Sequence, residues 1–452
     1  MKIIVAGCGK IGTAIVSSLV KEGHDVVVVD NDAKAITDIR DVYDIMCICG
    51  NGASYDTLEE AGALNADMFV AVTGSDELNM LSCILARRMG AKHTACRVRN
   101  PEYNGKNLDF FRQQIDLSLV INPELLTAVE LFNILKLPAA VNIETFSRGD
   151  FEMVELILKP DSAIIGIKLS DLKKKIPEHF LVCVVGRGDR VFIPDGNFVL
   201  EAGDRIGVTA PKASFQTLLK KMGIVQKHTK NVMLFGGSTT AFYLAKMLVA
   251  GGNSVKVIEK DRSRCEKIAA GIPQAEVINA DGSSQEILTE EGIRSTDAFV
   301  TLTGLDEQNI LVASYAMLQC VPKVITKVNR SELSAMAEKL GLECVISPKR
   351  IVSDIISRYA RALENSLGSN VETLYKLMDG NAEALEFKVT ADFKYQQIPL
   401  HELKLKPNIL IAGIIRKRKP IIPTGEDVIA VGDKVIVIAA GQSLNDLSDI
   451  MR

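Results

Sequence analysis

The sequence contains no apolar run of the length that crosses a membrane. Apolar stretches such as residues 68–72, 409–415 and 435–441 fall far short of the ~20 residues that a transmembrane helix needs. Met1 and Lys2 stand directly before a short apolar segment, without the apolar region and small-residue cleavage site of a secretory signal. We therefore expect a protein that is not secreted and has no transmembrane helix.

An excess of charge of one sign is also missing. The 452 residues include 53 Lys and Arg and 56 Asp and Glu, which gives a formal net charge of −3 at pH 7. With 47% hydrophobic and 24% charged residues, the composition disfavours both disorder and a polycationic nucleic-acid binder. We expect no nucleic-acid partner. The length is roughly two to four times that of a usual domain, so two or more cores are expected.

Cysteine and histidine are too scattered to indicate a site. The nine cysteines lie mostly inside apolar segments, as buried thiols of a cytosolic protein do, so we expect no disulfide framework. Cys47 and Cys49 share one face of a predicted strand, but this spacing alone is poor evidence for a metal, and we predict no metal site. The five histidines are His24, His93, His179, His228 and His401.

The sequence does contain an internal duplication. The segment Thr73-Gly74-Ser75-Asp76-Glu77-Leu78-Asn79 recurs as Thr303-Gly304-Leu305-Asp306-Glu307-Gln308-Asn309, about 230 residues later. Near the end of each copy, Gly203-Asp204-Arg205 recurs as Gly432-Asp433-Lys434. Both ends of one unit are repeated, so the chain consists of two copies of that unit.

Each copy begins with short β-rich segments that alternate with amphipathic helical segments. In the first copy the predicted strands are residues 2–6, 26–29, 45–49, 68–72, 94–98 and 118–121. Strands that are apolar on both faces, such as 26–29, are typical of a parallel sheet covered by helices on both sides. We therefore predict an α/β protein with two tandem Rossmann-like, doubly wound parallel sheets, each followed by a small α+β subdomain.

The domain boundaries are predicted from the repeat and from turn-rich segments. We expect the first Rossmann-like domain at residues 1–137, the first small domain at 138–219 and a polar linker at 220–229. The second Rossmann-like domain is expected at 230–366 and the second small domain at 367–452. In the first copy a helix is predicted to begin at Asn122-Pro123, and the second copy repeats this start as Ser347-Pro348.

A glycine-rich loop follows the first predicted strand. The hexapeptide Gly7-Cys8-Gly9-Lys10-Ile11-Gly12 opens a helical segment, and Asp30 ends the second strand, which is the arrangement of a dinucleotide-binding unit. Gly7 permits the tight turn, Gly9 lets the backbone approach a pyrophosphate, and Gly12 lets helix and strand pack closely. The unpaired N–H groups of the helix start would face the phosphates. A carboxylate at Asp30 would accept hydrogen bonds from the adenosine ribose and repel a 2′-phosphate, which favours NAD over NADP.

Further candidates follow the other predicted strands, at the edge where doubly wound sheets bind ligands. Asn51 and Gly52 follow the third strand, Thr73 and Gly74 follow the fourth, and Arg97 lies at the end of the fifth. The fixed charge of Arg97 could meet a phosphate, or it could form a surface ion pair. Both interpretations stay open from the sequence.

The second copy departs from this pattern. Its loop reads Gly236-Gly237-Ser238-Thr239-Thr240-Ala241, and the loss of the second and third glycines makes close approach of a pyrophosphate harder. The corresponding candidates at the other strand ends are Glu259, Asp281, Thr303, Gly304 and, in place of Arg97, Lys327. We interpret this as a nucleotide site that is weakened, altered or lost.

Together these segments resemble the Trk-type potassium uptake protein A family, which is built of tandem regulator-of-potassium-conductance units. The resemblance covers essentially the whole chain, and the tandem order is its more specific signal. The residues that carry it are the hexapeptide at 7–12, Asp30, Asn51, Gly52, Thr73, Gly74, Asp76, Glu77, Asn79 and Arg97, with Gly203-Asp204 and Gly432-Asp433 in the small subdomains.

The resemblance implies a cytoplasmic regulatory subunit that is peripheral on the inner face of the cell membrane. It implies NAD(H) as ligand, with ATP and ADP as further candidates, and a potassium-translocating integral membrane subunit as partner. It also implies self-association into a homotetrameric ring and no catalysis. Ligand exchange would change the geometry of the ring and so gate the pore, because a ligand shifts a two-state equilibrium by its differential affinity.

Two other classes of function are weighed against this one. An NAD-dependent oxidoreductase needs an acceptor pocket and a proton-transfer group, but the histidines are dispersed and the chain has no large second substrate domain. His24 lies in the turn before the second strand, at the opposite edge from the glycine loop. A nucleotide sensor without a membrane partner is the other alternative. We predict a regulator with no catalytic residue.

Overall fold

Two kinds of sheet alternate along the chain in the computed structural model. The structure describes residues 1–103, 110, 114, 116–146, 151–211, 214–224, 229–365, 371–442, 444 and 446–452. Residues 225–228 of the expected linker, and the expected boundary at 366/367, lie outside the described residues. No helix in these ranges is long and apolar enough to cross a membrane.

The first copy begins with a parallel sheet. Its strands are β1 (Lys2–Ala6), β2 (Asp25–Asp30), β3 (Met46–Cys49), β4 (Met68–Ala71), β5 (His93–Arg97) and β6 (Leu119–Ile121). Its helices are α1 (Lys10–Lys21), α2 (Ala33–Arg40), α3 (Tyr55–Glu60), α4 (Asp76–Met89) and α5 (Pro123–Lys136). The strand order is β3-β2-β1-β4-β5-β6. The order reverses between β1 and β4, which leaves a crevice at their carboxyl ends.

The burial of β2 confirms the predicted doubly wound sheet. All four valines from Val26 to Val29 are buried. Val26 and Val28 belong to the core that contains α1, and Val27 and Val29 belong to the core on the other face of the sheet. Successive side chains of a strand point to opposite faces, so this strand is apolar throughout because helices cover both faces.

The first antiparallel sheet follows. Its strands are β7 (Ala140–Phe146), β8 (Phe151–Ile157), β9 (Leu181–Arg187), β10 (Arg190–Phe192) and β11 (Arg205–Thr209), with helices α6 (Leu169–Lys175) and α7 (Phe215–Lys221). The strand order is β10-β9-β11-β8-β7, and each strand pairs antiparallel with its neighbours. The first two residues of the expected linker, Lys220 and Lys221, belong to α7.

The second copy repeats this arrangement. Its parallel sheet contains β12 (Asn231–Phe235), β13 (Ser254–Glu259), β14 (Glu276–Asn279), β15 (Ala298–Thr301), β16 (Lys323–Lys327) and β17 (Val345–Ile346), in the order β14-β13-β12-β15-β16-β17. Its helices are α8 (Thr239–Ala250), α9 (Arg262–Gly271), α10 (Gln285–Glu290), α11 (Asp306–Leu318), α12 (Ser331–Lys339) and α13 (Pro348–Asn365).

The second antiparallel sheet closes the chain. Its strands are β18 (Val371–Leu377), β19 (Ala382–Lys388), β20 (Ile409–Arg416), β21 (Lys419–Ile421) and β22 (Lys434–Ala440), in the order β18-β19-β22-β20-β21. Short 3-10 turns occur at Ala63–Asn65, Pro101–Tyr103, Ile293–Ser295, Met378–Gly380, Leu400–Glu402 and Leu447–Ile450.

The two copies exchange the helices that follow their sixth strands. Ala128, Leu131 and Ile134 of α5 are fully buried in the core formed by β12 and α8 of the second copy. In return, Val352 and Ile356 of α13 are buried with β1 and α1 of the first copy. The tandem order of domains, which the sequence predicts, is therefore accompanied by interlocked cores that no local sequence pattern indicates.

The two antiparallel sheets also pack against each other. Phe146 and Met153 of the first sheet share a buried cluster with Leu377 and Ile436 of the second. The contact is close, because a Cβ atom on Gly413 would lie 2.6 Å from the ring of Phe151. All four sheets are thus joined in pairs across the repeat.

Candidate functional site

The glycine loop between β1 and α1 has the geometry expected for phosphate binding. Gly7 has a φ angle of +109°, and its N–H donates to the carbonyl oxygen of Val29 at 2.8 Å. A Cβ atom on Gly12 would lie 1.8 Å from the carbonyl oxygen of Gly7, so only glycine fits there. Gly9 precedes α1 without a side-chain cap, and a Cβ atom on it would meet no described atom within 4 Å. The first-turn amides of α1 are therefore accessible to an anion.

Asp30 ends β2 beside this loop. One of its carboxylate oxygens accepts a hydrogen bond from the backbone N–H of Cys8, and the other accepts one from the N–H of Asp32 at 2.9 Å. The carboxylate is half-buried and retains lone pairs for a ribose hydroxyl. Burial, together with the negative charge of Asp30, raises the pKa of the Cys8 thiol to about 12. Cys8 is therefore a neutral thiol at the loop.

A cavity of about 870 Å³ opens in front of the loop, and we call it the interface cavity. The sequence-predicted residues of the first copy that line it are Gly7, Cys8, Gly9, Lys10, Ile11, Asp30, Asn51, Gly52, Thr73, Gly74 and Arg97. Gly12 packs behind the loop. Glu77 is outside the lining and accepts hydrogen bonds from the hydroxyls of Ser75 at 2.7 Å and Tyr103 at 2.9 Å. These two hydroxyls, with the backbone N–H of Glu77, lower its pKa.

Two buried side chains position the strand ends around this cavity, and sequence reasoning missed their role. The Oδ1 atom of Asn79 accepts hydrogen bonds from the N–H and the hydroxyl of Thr73, both at 2.7 Å, while its Nδ2 donates to the last carbonyl of β5 at 3.0 Å. Asp76 accepts hydrogen bonds from two backbone N–H groups that follow β5. Asn309 and Asp306 repeat these contacts. Their recurrence in the duplicated segment was the available signal.

Arg97 faces the interface cavity from the end of β5. It is only 9% exposed, and burial, with the nearby charge of Arg99, lowers the pKa of its guanidinium. One terminal nitrogen donates to the carbonyl oxygen of Thr73, whereas its Nε is buried without a described hydrogen-bond partner. A buried guanidinium with an unused donor suits an anionic ligand. Of the two interpretations left open by the sequence, this geometry favours the phosphate contact.

The second copy forms the opposite wall of the interface cavity. The residues that it contributes are Ser238, Thr239, Thr240, Lys327, Asn329, Pro348 and Lys349. Thr239 and Thr240 were expected at the second copy's own site, but both line this shared wall. Lys327 donates to the carbonyl oxygen of Leu302 at 3.2 Å, and burial lowers its pKa.

Helix starts and basic side chains from both copies converge on the cavity. The first residues of α1, α5, α8 and α13 all line it, and so do the basic residues Lys10, Arg97, Arg99, Lys327 and Lys349. The acidic residues in the lining are Asp30, Asp32 and Glu124. Helix N-termini carry partial positive charge, so the wall as a whole favours an anionic ligand.

The loop of the second copy has a different geometry. A cavity of about 190 Å³, which we call the second-loop cavity, is lined by Gly236, Ser238, Glu259, Asp281, Thr303 and Gly304. The Ser238 hydroxyl accepts a hydrogen bond from the N–H of Ala241 at 3.3 Å, so it caps α8 where a phosphate would bind. Asp281 is exposed, and the hydroxyl and N–H of Ser283 lower its pKa.

Glu259 fills part of the space beside this second loop. It is 6% exposed, and it accepts hydrogen bonds from the N–H groups of Gly237 at 2.6 Å and Asp261 at 2.8 Å. Gly237 packs against it, because a Cβ atom there would lie 2.9 Å from Cγ of Glu259. The cap at Ser238 and the buried carboxylate leave the second loop less accessible to a pyrophosphate than the first.

Comparisons with known proteins agree with the repeat and the fold. Residues 3–123 and 232–348 match the TrkA-N domain, and residues 153–223 and 384–452 match the TrkA-C domain. A Trk system potassium uptake protein TrkA homolog of Archaeoglobus fulgidus is 30% identical over 452 residues, which is 100% of each chain. The Trk system potassium uptake protein TrkA of Haemophilus influenzae is 29% identical and covers 97% of this chain and 95% of its own.

Solved structures show the same fold at low sequence identity. The GsuK channel has a TM-score of 0.64 and 16% identity, with 97% of this chain and 77% of that one covered. The GsuK channel bound to NAD has a TM-score of 0.63 with the same identity and coverage. These comparisons confirm the predicted fold class and the family resemblance. The chain belongs to the family of Trk system potassium uptake proteins TrkA.

Proposed function

We propose that this protein is a cytoplasmic regulatory subunit of a Trk-type potassium uptake system, and that NAD(H) bound in the interface cavity controls its action on a potassium-translocating membrane subunit. One observation carries the proposal: an uncapped glycine loop, the carboxylate of Asp30 and the buried guanidinium of Arg97 line one cavity. The full-length relatives, which are named as Trk system potassium uptake proteins, support the potassium system.

In this proposal each part of the site has a separate role. The first-turn amides of α1 bind the pyrophosphate, which Gly9 allows to come close. Asp30 accepts hydrogen bonds from the adenosine ribose, and Arg97 contributes its free donor to a phosphate oxygen. Asn51, Gly52, Thr73 and Gly74 form the floor at the carboxyl ends of β3 and β4. We assign no contact to Glu77, whose carboxylate is used by Ser75 and Tyr103.

ADP and ATP are second candidate ligands of the same cavity. Lys327 and Lys349 reach its lining from the second copy, and they add positive charge beyond what a single pyrophosphate requires. The structurally similar GsuK channel has been solved both with NAD and with ADP, which supports a cavity that accepts either nucleotide. We propose that the second-loop cavity, with Ser238 capping α8, is a weaker or altered site.

The proposal includes no catalysis. His24 is buried in the turn before β2, at the edge of the sheet opposite the glycine loop, and burial lowers its pKa. The described residues contain no group of three or more His, Cys, Asp or Glu side chains that could hold a metal ion. Sustained oxidation of NADH with carbonyl substrates by the purified protein would contradict this part of the proposal.

We also propose that the protein associates with itself, as a homotetrameric ring, beneath its membrane partner. Leu81 of α4 and Leu311 of α11 occupy equivalent positions in the two copies and are 53% and 70% exposed. Exposed leucines repeated on equivalent helices suit contacts with further copies of the chain. The proposed domains keep the boundaries 1–137, 138–219, 230–366 and 367–452, since each range contains one of the four sheets.

Calorimetric titration with NADH tests the nucleotide site. Replacing Asp30 with alanine should weaken binding by about 1–3 kcal/mol, because a charge-assisted hydrogen bond to the ribose is lost. Asp25→Ala is the matched control, since Asp25 lies at the other end of β2 and is exposed. An Asp30→Ala variant that binds NADH as tightly as wild type would show that the site is misassigned.

Co-purification with a potassium-transporting membrane subunit tests the partner. We expect a stable complex in detergent whose recovery depends on NADH or ADP. Failure to recover any complex across detergents and nucleotides, while NADH still binds, would contradict the potassium-transport role and leave only the nucleotide site.

A further inference from the structure

Helix α13 connects the interface cavity with the small sheets. Pro348 and Lys349 at its start line the interface cavity. The next residue, Arg350, lines a separate cavity of about 250 Å³, which we call the junction cavity because α1, α5, α13 and both antiparallel sheets contribute to it. Val352 and Ile356 anchor α13 in the core of the first copy. A ligand that displaces the first turn of α13 therefore displaces Arg350 as well.

Arg350 begins a chain of ion pairs that runs into both small sheets. Its Nη1 lies 2.7 Å from Oδ1 of Asp379, and Oδ2 of Asp379 accepts a hydrogen bond from Nη1 of Arg205 at 2.7 Å. Nε of Arg205 donates to Oε2 of Glu155 at 2.7 Å, and Glu155 is fully buried in β8. The chain thus passes from α13 through the Met378–Gly380 turn after β18 to β11 and β8.

The Met378–Gly380 turn has a backbone conformation that needs support. Met378 and Asp379 have φ angles of +47° and +59°, a region that L-residues rarely occupy and that costs free energy. The N–H of Met378 donates to Glu155 at 3.4 Å, and its buried side chain packs in the contact between the two small sheets. Burial raises the pKa of Asp379, but Arg205 and Arg350 outweigh this and hold its pKa below the ordinary value. The charged carboxylate therefore keeps both arginines on the turn.

The duplication provides an internal comparison. Lys434 stands in the repeat where the first copy has Arg205. Its Nζ lies 2.8 Å from Glu386 and 2.5 Å from Glu372, and both carboxylates belong to the same sheet as Lys434. Arg205 instead bridges two sheets, because a guanidinium fork can bind two carboxylates in different directions. The bridge is thus a property of one copy and is not required by the fold of the small sheet.

We propose that the Met378–Gly380 turn couples the interface cavity to the paired small sheets, with Asp379 as a positioning residue. The proposal rests on the proposed nucleotide site. A nucleotide that favours one position of the α13 start changes the Arg350–Asp379 contact, and the shared carboxylate passes this change to Arg205 and the sheet contact. The coupling free energy then links the interface cavity to the sheet contact, because both favour one of two arrangements of the same turn.

Hydrogen exchange of the full chain, with and without NADH, tests the proposal. In the wild type, NADH should slow exchange in the 7–12 loop and also change it in β18 and β8. Asp379→Asn removes the charge while asparagine still tolerates a positive φ. This variant should keep the protection of the loop, and its NADH-dependent change in β18 should shrink about fivefold or more. Glu372→Gln, which removes one of the two carboxylates that pair with Lys434 within the second sheet, should behave as wild type.

A second variant provides an independent test in case Asp379→Asn does not fold. Arg205→Lys keeps a positive charge beside Glu155 but loses the fork, so it should show the same loss of response in β18. The coupling is wrong if NADH protects the loop of the wild type without changing exchange in β18, or if both variants keep the full change in β18. Either result would leave the proposed nucleotide site standing. Absence of loop protection in the wild type would overturn the proposed nucleotide site and this proposal with it.

Discussion

A side-chain cap is one of the differences between the two glycine loops. In the first copy Gly9 leaves the amides at the start of α1 uncapped, whereas in the second copy the Ser238 hydroxyl accepts one of the corresponding amides of α8 at 3.3 Å. A serine cap stabilises its helix by about 1 kcal/mol, and a phosphate would have to displace it. The residue that makes the second loop a better helix start therefore makes it a poorer anion site.

The serine cap of the second copy can be introduced into the first copy by substitution. Gly9→Ser should cap α1 and weaken NADH binding by about 1 kcal/mol, because the hydroxyl competes with the phosphate. The fold should be preserved, since a Cβ atom on Gly9 meets no described atom within 4 Å. Calorimetry measures the affinity and thermal unfolding checks the fold. A folded Gly9→Ser variant with unchanged affinity would show that the α1 amides do not bind the ligand.

Residues with a special backbone role were the most predictable from the sequence. Gly7, Gly12 and Asp30 could be assigned because a tight turn, a close helix contact and an acid after β2 leave a local pattern. Asn79 also recurs in the duplicated segment, but its four hydrogen bonds to Thr73 and Arg97 depend on how β4 and β5 meet. Lys327 gave no local signal for its place in the interface cavity, because that place depends on the packing of the two copies.

At the scale of elements, α5 shows where sequence patterns stop being informative. Its start at Asn122-Pro123 was predicted, and the Asn122 side chain accepts the N–H of Leu125 at 2.9 Å as a cap should. Its apolar positions indicate burial, but periodicity does not identify the partner surface. The exchange of α5 and α13 between the copies therefore could not be derived from either helix alone.

The helix exchange predicts which sheet an α5 variant will weaken. Leu131 is fully buried in the core of the second copy, so Leu131→Ala should cost about 2–5 kcal/mol. Hydrogen exchange should increase in β12 and β13 more than in β1 and β2. Val129→Ala is the control on the same helix, since Val129 is 40% exposed. Loss of protection confined to the first sheet would contradict the exchange.

Glu144 of β7 lines the junction cavity, and its titration should make the stability of the protein depend on pH. Burial raises the pKa of Glu144 from 4.5 to about 8, and the charge of Arg358 offsets only part of this effect. The folded state thus binds this proton more tightly than the unfolded state. Its contribution to stability is full below about pH 4.5 and is lost as the pH rises through about 8.

Replacement of Glu144 by glutamine removes this titration. The unfolding free energy of Glu144→Gln, relative to that of the wild type, should rise as the pH increases from 5 to 8. The rise should reach about 1–3 kcal/mol at pH 8. Urea unfolding at both pH values measures the difference. The exposed Glu60 of α3 supplies a control, and Glu60→Gln should shift stability equally little at both. A Glu144→Gln effect that does not change with pH would contradict the raised pKa.

At the scale of the whole molecule, the repeat forms one structure with two unequal loops. The helices α5 and α13 lock the parallel sheets together, and the antiparallel sheets pack on each other. The interface cavity lies between the copies as a result, with the glycine loop on one wall and Lys327 on the other. The sequence predicted the first wall because it is a continuous motif. It could not predict the second, which comes from residues far away along the chain.

Titration of the full chain with NADH, in wild type and in Lys327→Met, tests whether a nucleotide binds between the two copies. Lysine and methionine have similar size, and Lys246→Met on the exposed side of α8 is the control. We expect saturable binding to the wild type and the control, and binding about tenfold weaker in Lys327→Met, because the ligand loses its contact with a partly buried cation. Equal affinity of all three proteins would contradict a nucleotide held between the two copies.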